Sequence, residues 1–244
     1  MILLVDSGNT RIKWRLVRGL ESLVTGAAEL SAPEPFSGLE TYSAEIRRVC
    51  VSTVGSESSR EALEAAVAKI TTAPVTFYWS ESQREGLQNS YQDVSRMGAD
   101  RWHAMVAAWK RLRAGCAIID AGSAVTVDYI DGDGQHTGGF ILPGLRMMRR
   151  SLKLEAARIG FDFDEQLNTR PGKTTGECAN HGLAWLTEGV VRQVHRDVAA
   201  YGIRHVLVTG GDAERFLGLG LQAEHCPELV LDGLHEVAAK DDPL

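Results

Sequence analysis

The chain has 244 residues, 44% of them hydrophobic and 24% charged, which is enough apolar content for a buried core and excludes wholesale disorder. Its net charge of −6 divides unevenly: 14 Lys+Arg face 13 Asp+Glu over residues 1–115, and 12 face 19 over 116–244. An acidic chain without a basic tract is a poor holder of polyanionic DNA or RNA, so no nucleic-acid partner is expected.

Cys50, Cys116, Cys178 and Cys226 lie far apart and form no CxxC pair, against a zinc ribbon or a disulfide scaffold. The N-terminus lacks the basic and apolar regions of a signal peptide, and no run approaches the roughly 18 apolar residues of a membrane span. A cytoplasmic protein without membrane attachment is expected.

In chain order, Ile2–Val5 reads as a buried strand, broken by the turn Asp6-Ser7-Gly8-Asn9-Thr10. The next residues alternate, with Ile12, Trp14 and Leu16 on one face and Arg11, Lys13 and Arg15 on the other. Val49-Cys50-Val51 is a further strand, running into Ser52-Thr53-Val54-Gly55. The helix behind it carries a Ser58-x-x-Glu61 capping box and sets Leu63, Val67 and Ile70 on one face. Gly98-Ala99-Asp100-Arg101 leads into a helix predicted over 101–113, with Trp102, Met105, Val106, Trp109 and Leu112 as its apolar positions.

From Cys116 the opening pattern returns. Cys116–Ile119 is apolar, Asp120-Ala121-Gly122-Ser123-Ala124 is the turn, and Val125, Val127 and Tyr129 alternate, an offset of 114 residues from Asp6 to Asp120. Asp131-Gly132-Asp133-Gly134 predicts a hairpin turn, and Gly138-Gly139-Phe140-Ile141-Leu142-Pro143-Gly144 reads as a glycine-rich connection from strand to helix. His205–Val208 followed by Thr209-Gly210-Gly211-Asp212 repeats the strand, small-residue turn and helix seen at 49–55. Two such matches in one order predict duplicated α/β domains, 1–115 and 116–244.

A strand ending in Asp-x-Gly places a carboxylate beside exposed backbone amides, where glycine lets phosphate come close. The carboxylate suits Mg²⁺ or its waters, and two such turns would grip a nucleotide triphosphate. Each turn alone is equally an ordinary hairpin, since Asp, Gly and Asn favour turns for local reasons; the repetition favours the phosphate reading. Asp100 reads either as a helix N-cap or as a general base, with Arg101 as a clamp for a carboxylate substrate. Gly172-Lys173-Thr174 is no Walker A loop, because Leu167 stands where that motif needs glycine. Thr174-x-x-Glu177 is instead a capping box that leaves Thr175 available to a ligand.

Together, Asp6-x-Gly8-Asn9-Thr10, Gly98-x-Asp100-Arg101, Asp120-x-Gly122-Ser123-Ala124, Gly138-Gly139-x-x-x-Pro143-Gly144 and Thr209-Gly210-Gly211 resemble the type III pantothenate kinases. These belong to the superfamily of actin, sugar kinases and heat-shock chaperone ATPases. The resemblance implies an α/β fold of two duplicated ribonuclease-H-like domains with a nucleotide cleft between them. It implies phosphorylation of pantothenate with ATP and Mg²⁺, in a homodimer.

By the same resemblance, Asp6, Ser7, Gly8, Asn9, Thr10, Arg11, Ile12, Lys13 and Ser123 would bind ATP, and Asp100 would be the base. Tyr91, Gly98, Ala99, Asp100, Arg101 and Thr175 would hold pantothenate. Asp6 and Asp120 would be metal ligands, Asp120 near a monovalent cation, K⁺ or NH₄⁺. The second turn carries Ser123 where the family usually has Thr, which keeps the hydroxyl. Two other readings stay open: an accessory factor for transcription that binds nucleotide, and a sugar kinase or polyphosphatase of the same superfamily.

Overall fold

The computed structural model describes residues 1–29, 31–155 and 160–241. Its strands in chain order are β1 (Ile2–Ser7), β2 (Arg11–Arg18), β3 (Glu21–Glu29), β4 (Arg48–Thr53), β5 (Val75–Tyr78), β6 (Gln83–Arg84), β7 (Leu87–Gln88), β8 (Cys116–Ala121), β9 (Ala124–Ile130), β10 (His136–Pro143), β11 (His205–Thr209) and β12 (Glu224–His225). The helices are α1 (Glu57–Ala68), α2 (Ala99–Leu112), α3 (Leu145–Glu155), α4 (Thr175–Ala200), α5 (Ala213–Gly218) and α6 (Leu229–Asp241).

The chain forms two compact units, Met1–Arg111 with the segment from Glu228, and Leu112–Pro227. Each is built on a five-stranded sheet, ordered β3-β2-β1-β4-β5 in the first and β10-β9-β8-β11-β12 in the second. The pairing repeats as well: the first three strands of each unit are antiparallel neighbours, and the last two run parallel to the central strand. Duplicated α/β units are what the repeated sequence pattern predicts.

In the first unit Leu3, Val5, Ile12, Trp14, Leu16, Val49 and Val51 point to one side of the sheet and pack with Leu63 and Val67 of α1. Fully burying side chains of this size contributes about 1.5–3 kcal/mol each. Trp14 anchors the layer, its Nε1 donating to Pro35 O at 3.1 Å. A Cβ at Gly26 would collide with its ring, so β3 must carry glycine there. The cap of α1 lies two residues before the predicted one. Ser56, still extended at ψ 168°, accepts from Ser59 N, while Ser58 is already helical.

The opposite face of this sheet meets α6, which touches β1, β4 and β5. Arg15 of β2 reaches Asp232 at 2.7 Å and Glu228 at 3.2 Å, and Gly233 lies so close to His103 that a Cβ would strike its carbonyl. The chain therefore returns to its first unit at Glu228, which corrects the predicted extent of the second domain to residue 244. The reason is long-range: α6 is held by contacts to residues more than 100 positions away, which no local pattern announces.

In the second unit Ala117, Ile119, Val125, Val127 and Tyr129 pack with Val191 and Val194 of α4 and Phe216 of α5. The predicted hairpin turn is present, with Asp131 Oδ1 accepting from Asp133 N and Gln135 N, both at 2.9 Å. The segment 138–143 is not a connection but the body of β10. Gly138 sits at φ +118°, where the β9–β10 register shifts, so the glycine marks a bulge in a strand.

Candidate active site

Asp6 stands near the end of β1, opposite Lys13 on β2 and opposite Ser52 on β4. Paired positions share a face of the sheet, so these three side chains lie on the side away from Leu3 and Val5. Gly8 closes the following turn by donating from its N–H to Arg11 O at 3.1 Å. Asn9 and Arg11 are exposed, and Gly8, Thr10 and Lys13 half-buried. Ser7 and Ile12 are buried, Ile12 within the core, so of the stretch 6–13 these two have no exposed side chain to offer a ligand. The turn is braced from β4, where Thr53 Oγ1 donates to Ser7 O at 3.2 Å and accepts from Gly55 N at 3.0 Å.

The N-terminus of α2 lies beside this strand end, because Gly98 abuts Val54, whose N–H donates to Ser7 O at 3.4 Å. Asp100 is the second residue of α2 rather than its cap, and its Oδ1 accepts from Arg101 N at 2.7 Å. Gly98 is needed in front of it: a Cβ there would come within 2.6 Å of Asp100 Oδ1. Ser80 Oγ donates to Met97 O at 3.0 Å, with Gly98 O at 3.3 Å, and so holds this segment from the end of β5. Ala99 is buried.

Arg101 is only 5% exposed. Its Nη1 donates to Tyr91 OH at 2.6 Å, with the guanidinium carbon 5.5 Å from the centre of the tyrosine ring. Asn89 shapes the Tyr91 loop, accepting from Tyr91 N at 3.0 Å and donating from Nδ2 to Glu81 O and Met97 Sδ at 3.1 Å. Tyr91, Gly98, Asp100 and Arg101 are thus one connected cluster.

Sequence reasoning missed Asn89 and Ser80, and it missed a buried pair below Asp100. One turn into α2, His103 Nδ1 lies 2.7 Å from Ser52 Oγ, both residues wholly buried. Burial first, and then the nearby Arg84, push the His103 pKa down to about 3, so the ring is neutral.

The second unit repeats the turn one residue shorter. Asp120 is paired with Thr126 and Thr209, and Gly122 N donates to Ala124 O at 3.0 Å. Two glycines crowd it. At Gly144, whose N–H donates to Ser123 O at 3.2 Å, a Cβ would collide with the carbonyls of Gly122 and Ser123. Gly210 adopts φ +93°, and a Cβ there would strike Ala121 O and come within 2.5 Å of Asp120 Oδ1. The glycines of two separate sequence motifs therefore exist to let the chain approach the Asp120–Ser123 turn. Thr174 caps α4, its Oγ1 accepting from Glu177 N at 3.2 Å, while Glu177 accepts in return from Lys173 N at 2.6 Å. Thr175 is exposed and takes no part in the cap.

Among the described residues no cluster of three or more His, Cys, Asp or Glu side chains is arranged to hold a metal ion, and no helix is long and apolar enough to cross a membrane.

The chain resembles known proteins along its whole length. The family model for type III pantothenate kinase matches residues 2–197. A type III pantothenate kinase of Marinobacter nauticus is 56% identical over 98% of both chains, and one of Cellvibrio japonicus is 37% identical over 96% of this chain and 95% of its own. Among solved structures, a candidate Baf family transcriptional activator of Campylobacter jejuni superposes with a TM-score of 0.62 at 20% identity, covering 99% of this chain and all of the other. A candidate 2-dehydro-3-deoxygalactonokinase of Sinorhizobium meliloti gives 0.61 at 10% identity over the full length of both. These two show the shared fold, while the family model and the relatives show more: the chain belongs to the type III pantothenate kinase family.

Proposed function

We propose that the chain transfers the γ-phosphoryl group of ATP to the hydroxyl of pantothenate, making 4′-phosphopantothenate at the start of coenzyme A synthesis. The observation that carries this reading, beside the family, is the cluster of Asp100, Arg101 and Tyr91 next to the end of β1. Asp100 is the base: it takes the hydroxyl proton as the pantothenate oxygen bonds to the γ-phosphorus and the bond to the bridging oxygen of ADP breaks. Arg101 meets the pantothenate carboxylate with its guanidinium, and Tyr91 holds that guanidinium in place.

The Asp6–Lys13 turn receives phosphate through its backbone amides, with Lys13 supplying positive charge, and the Asp120–Ser123 turn of the second unit offers amides of the same kind. The residues present fit Mg²⁺, which keeps several waters and asks for only one or two carboxylates beside the phosphate oxygens. Asp6 would hold it, and when bound it would neutralise charge on the β- and γ-phosphates. Asp120 would serve a monovalent cation, K⁺ or NH₄⁺. A homodimer is supported by the exposed apolar side chains of the second unit, Phe140, Ile141, Met147, Trp185 and Leu186.

The test is a phosphate-transfer assay with ATP and a panel of pantothenate, hexoses and acetate. ADP released only with pantothenate is the expected result; turnover of a hexose or acetate instead would reject the reading. The Campylobacter likeness carries the fold alone and lends no support to an accessory role in transcription.

A further inference from the structure

We propose that Ser52 and His103 form a positioning pair that sets Asp100 of α2 against Asp6 of β1. The proposal rests on the reading of those two carboxylates given above. Asp6 and Ser52 are direct partners in the parallel β1–β4 pair and share a face of the sheet. Ser52 Oγ lies 2.7 Å from His103 Nδ1. His103 follows Asp100 by three positions, which puts the two on the same side of α2. One hydrogen bond therefore ties the strand pair that carries the proposed metal ligand to the helix that carries the proposed base.

The pair is an expensive way to fill space. Both residues are 0% exposed, and His103 Nε2 is buried without a hydrogen-bond partner. A buried polar atom left unpaired is costly, and an apolar side chain of similar volume would pack here without that cost. What such a side chain cannot do is fix a direction. A hydrogen bond between two buried groups, with no water to compete, sets both the rotation of α2 and its height along β4. The backbone of α2 is held from α6 as well, because Gly233 of α6 leaves no room between itself and the His103 carbonyl. His103 stays neutral and is not a proton carrier; its contribution is geometric. Misplacement by about 1 Å far from the chemistry can cost on the order of 10²-fold in rate.

The test uses Ser52→Ala, His103→Leu, their double variant and His103→Asn, whose amide can reach the place of Nδ1. The assay is pantothenate-dependent ADP release at a temperature where each variant is fully folded by circular dichroism. The expected result is that kcat falls about tenfold or more in each apolar variant, while KM for pantothenate and for ATP stays within about twofold. The double variant should be no slower than the slower single, since both break the same bond, and His103→Asn should recover most of the rate. Wild-type kcat in Ser52→Ala with a lowered melting temperature would make the pair a matter of stability only and overturn the proposal. If His103→Leu does not fold, Ser52→Ala and His103→Asn decide by the same criteria. Asp100→Asn run alongside separates the two levels. Wild-type kcat in that variant overturns the assignment of the base, and the positioning pair with it. Loss of kcat there, with none in Ser52→Ala, overturns the pair alone.

Discussion

Arg101 and Tyr91 stand ten residues apart and meet at 2.6 Å, the guanidinium donating to the phenol while almost entirely shielded from solvent. A guanidinium cannot shed its proton at working pH, so a buried one needs acceptors. The tyrosine oxygen is one acceptor, and a substrate carboxylate would be a stronger one.

Arg101→Lys keeps the charge and loses the planar fork, so KM for pantothenate should rise at least about tenfold, a loss of 1.4 kcal/mol or more, with kcat changed much less. Tyr91→Phe removes only the hydroxyl and should give a smaller rise in the same direction. Steady-state kinetics with varied pantothenate checks both; an unchanged KM in Arg101→Lys would remove Arg101 from the binding site.

Asp100→Asn should lower kcat by roughly 10²-fold or more, since an amide cannot take the hydroxyl proton. Its oxygen still accepts from Arg101 N, so stability should stay within about 1 kcal/mol. Gly98→Ala probes the same carboxylate from outside. The added Cβ would meet Asp100 Oδ1 at 2.6 Å, and a side-chain end can swing away, so the fold should hold while kcat drops. A fall in melting temperature without a fall in kcat, in both variants, would make Asp100 structural.

Asp6→Asn keeps the size of the side chain at the end of β1 and removes the charge that suits Mg²⁺. Rate at fixed Mg²⁺ should fall by more than about tenfold, with the circular dichroism spectrum unchanged. Near-normal activity would reduce Asp6 to a turn residue.

Stability should decline below neutral pH. His103 has its pKa pushed down to about 3 by burial and then by Arg84, and His235 is lowered by burial and then by Arg15. Below the ordinary value near 6.5 the unfolded chain binds protons that the folded chain refuses at both rings, so stability is lost as pH falls below 6.5, for His103 down to about 3. His103 alone should remove about 2 kcal/mol between pH 7 and pH 5, at 1.4 kcal/mol for each pH unit below 6.5. Urea unfolding at the two pH values measures it, and His103→Asn should flatten the dependence. An equal slope in wild type and variant would contradict the assignment to His103.

The repeated strand, Asp-x-Gly turn and strand could be read directly because each rests on local rules. Alternation set Ile12, Trp14 and Leu16 against Lys13 and Arg15, and the spacing from Thr174 to Glu177 announced a helix start. The two-unit design followed from those local patterns recurring in the same order. What only the tertiary structure decided depends on residues far apart in the chain. Gly144 and Gly210 look like flexible joints until the Asp120–Ser123 turn is seen pressed against both. The sequence Gly138–Pro143 looks like a loop until β9 pairs with it and a bulge absorbs the glycine. Ser52 reads as a turn residue and His103 as one more position on a helix, yet they meet 51 residues apart inside the core. The return of α6 to the first unit is of the same kind, because Arg15 finds Asp232 only once the chain has folded. Local periodicity fixes which face a residue takes; which partner waits there is settled by packing between segments, and packing has no signature in any single stretch of sequence.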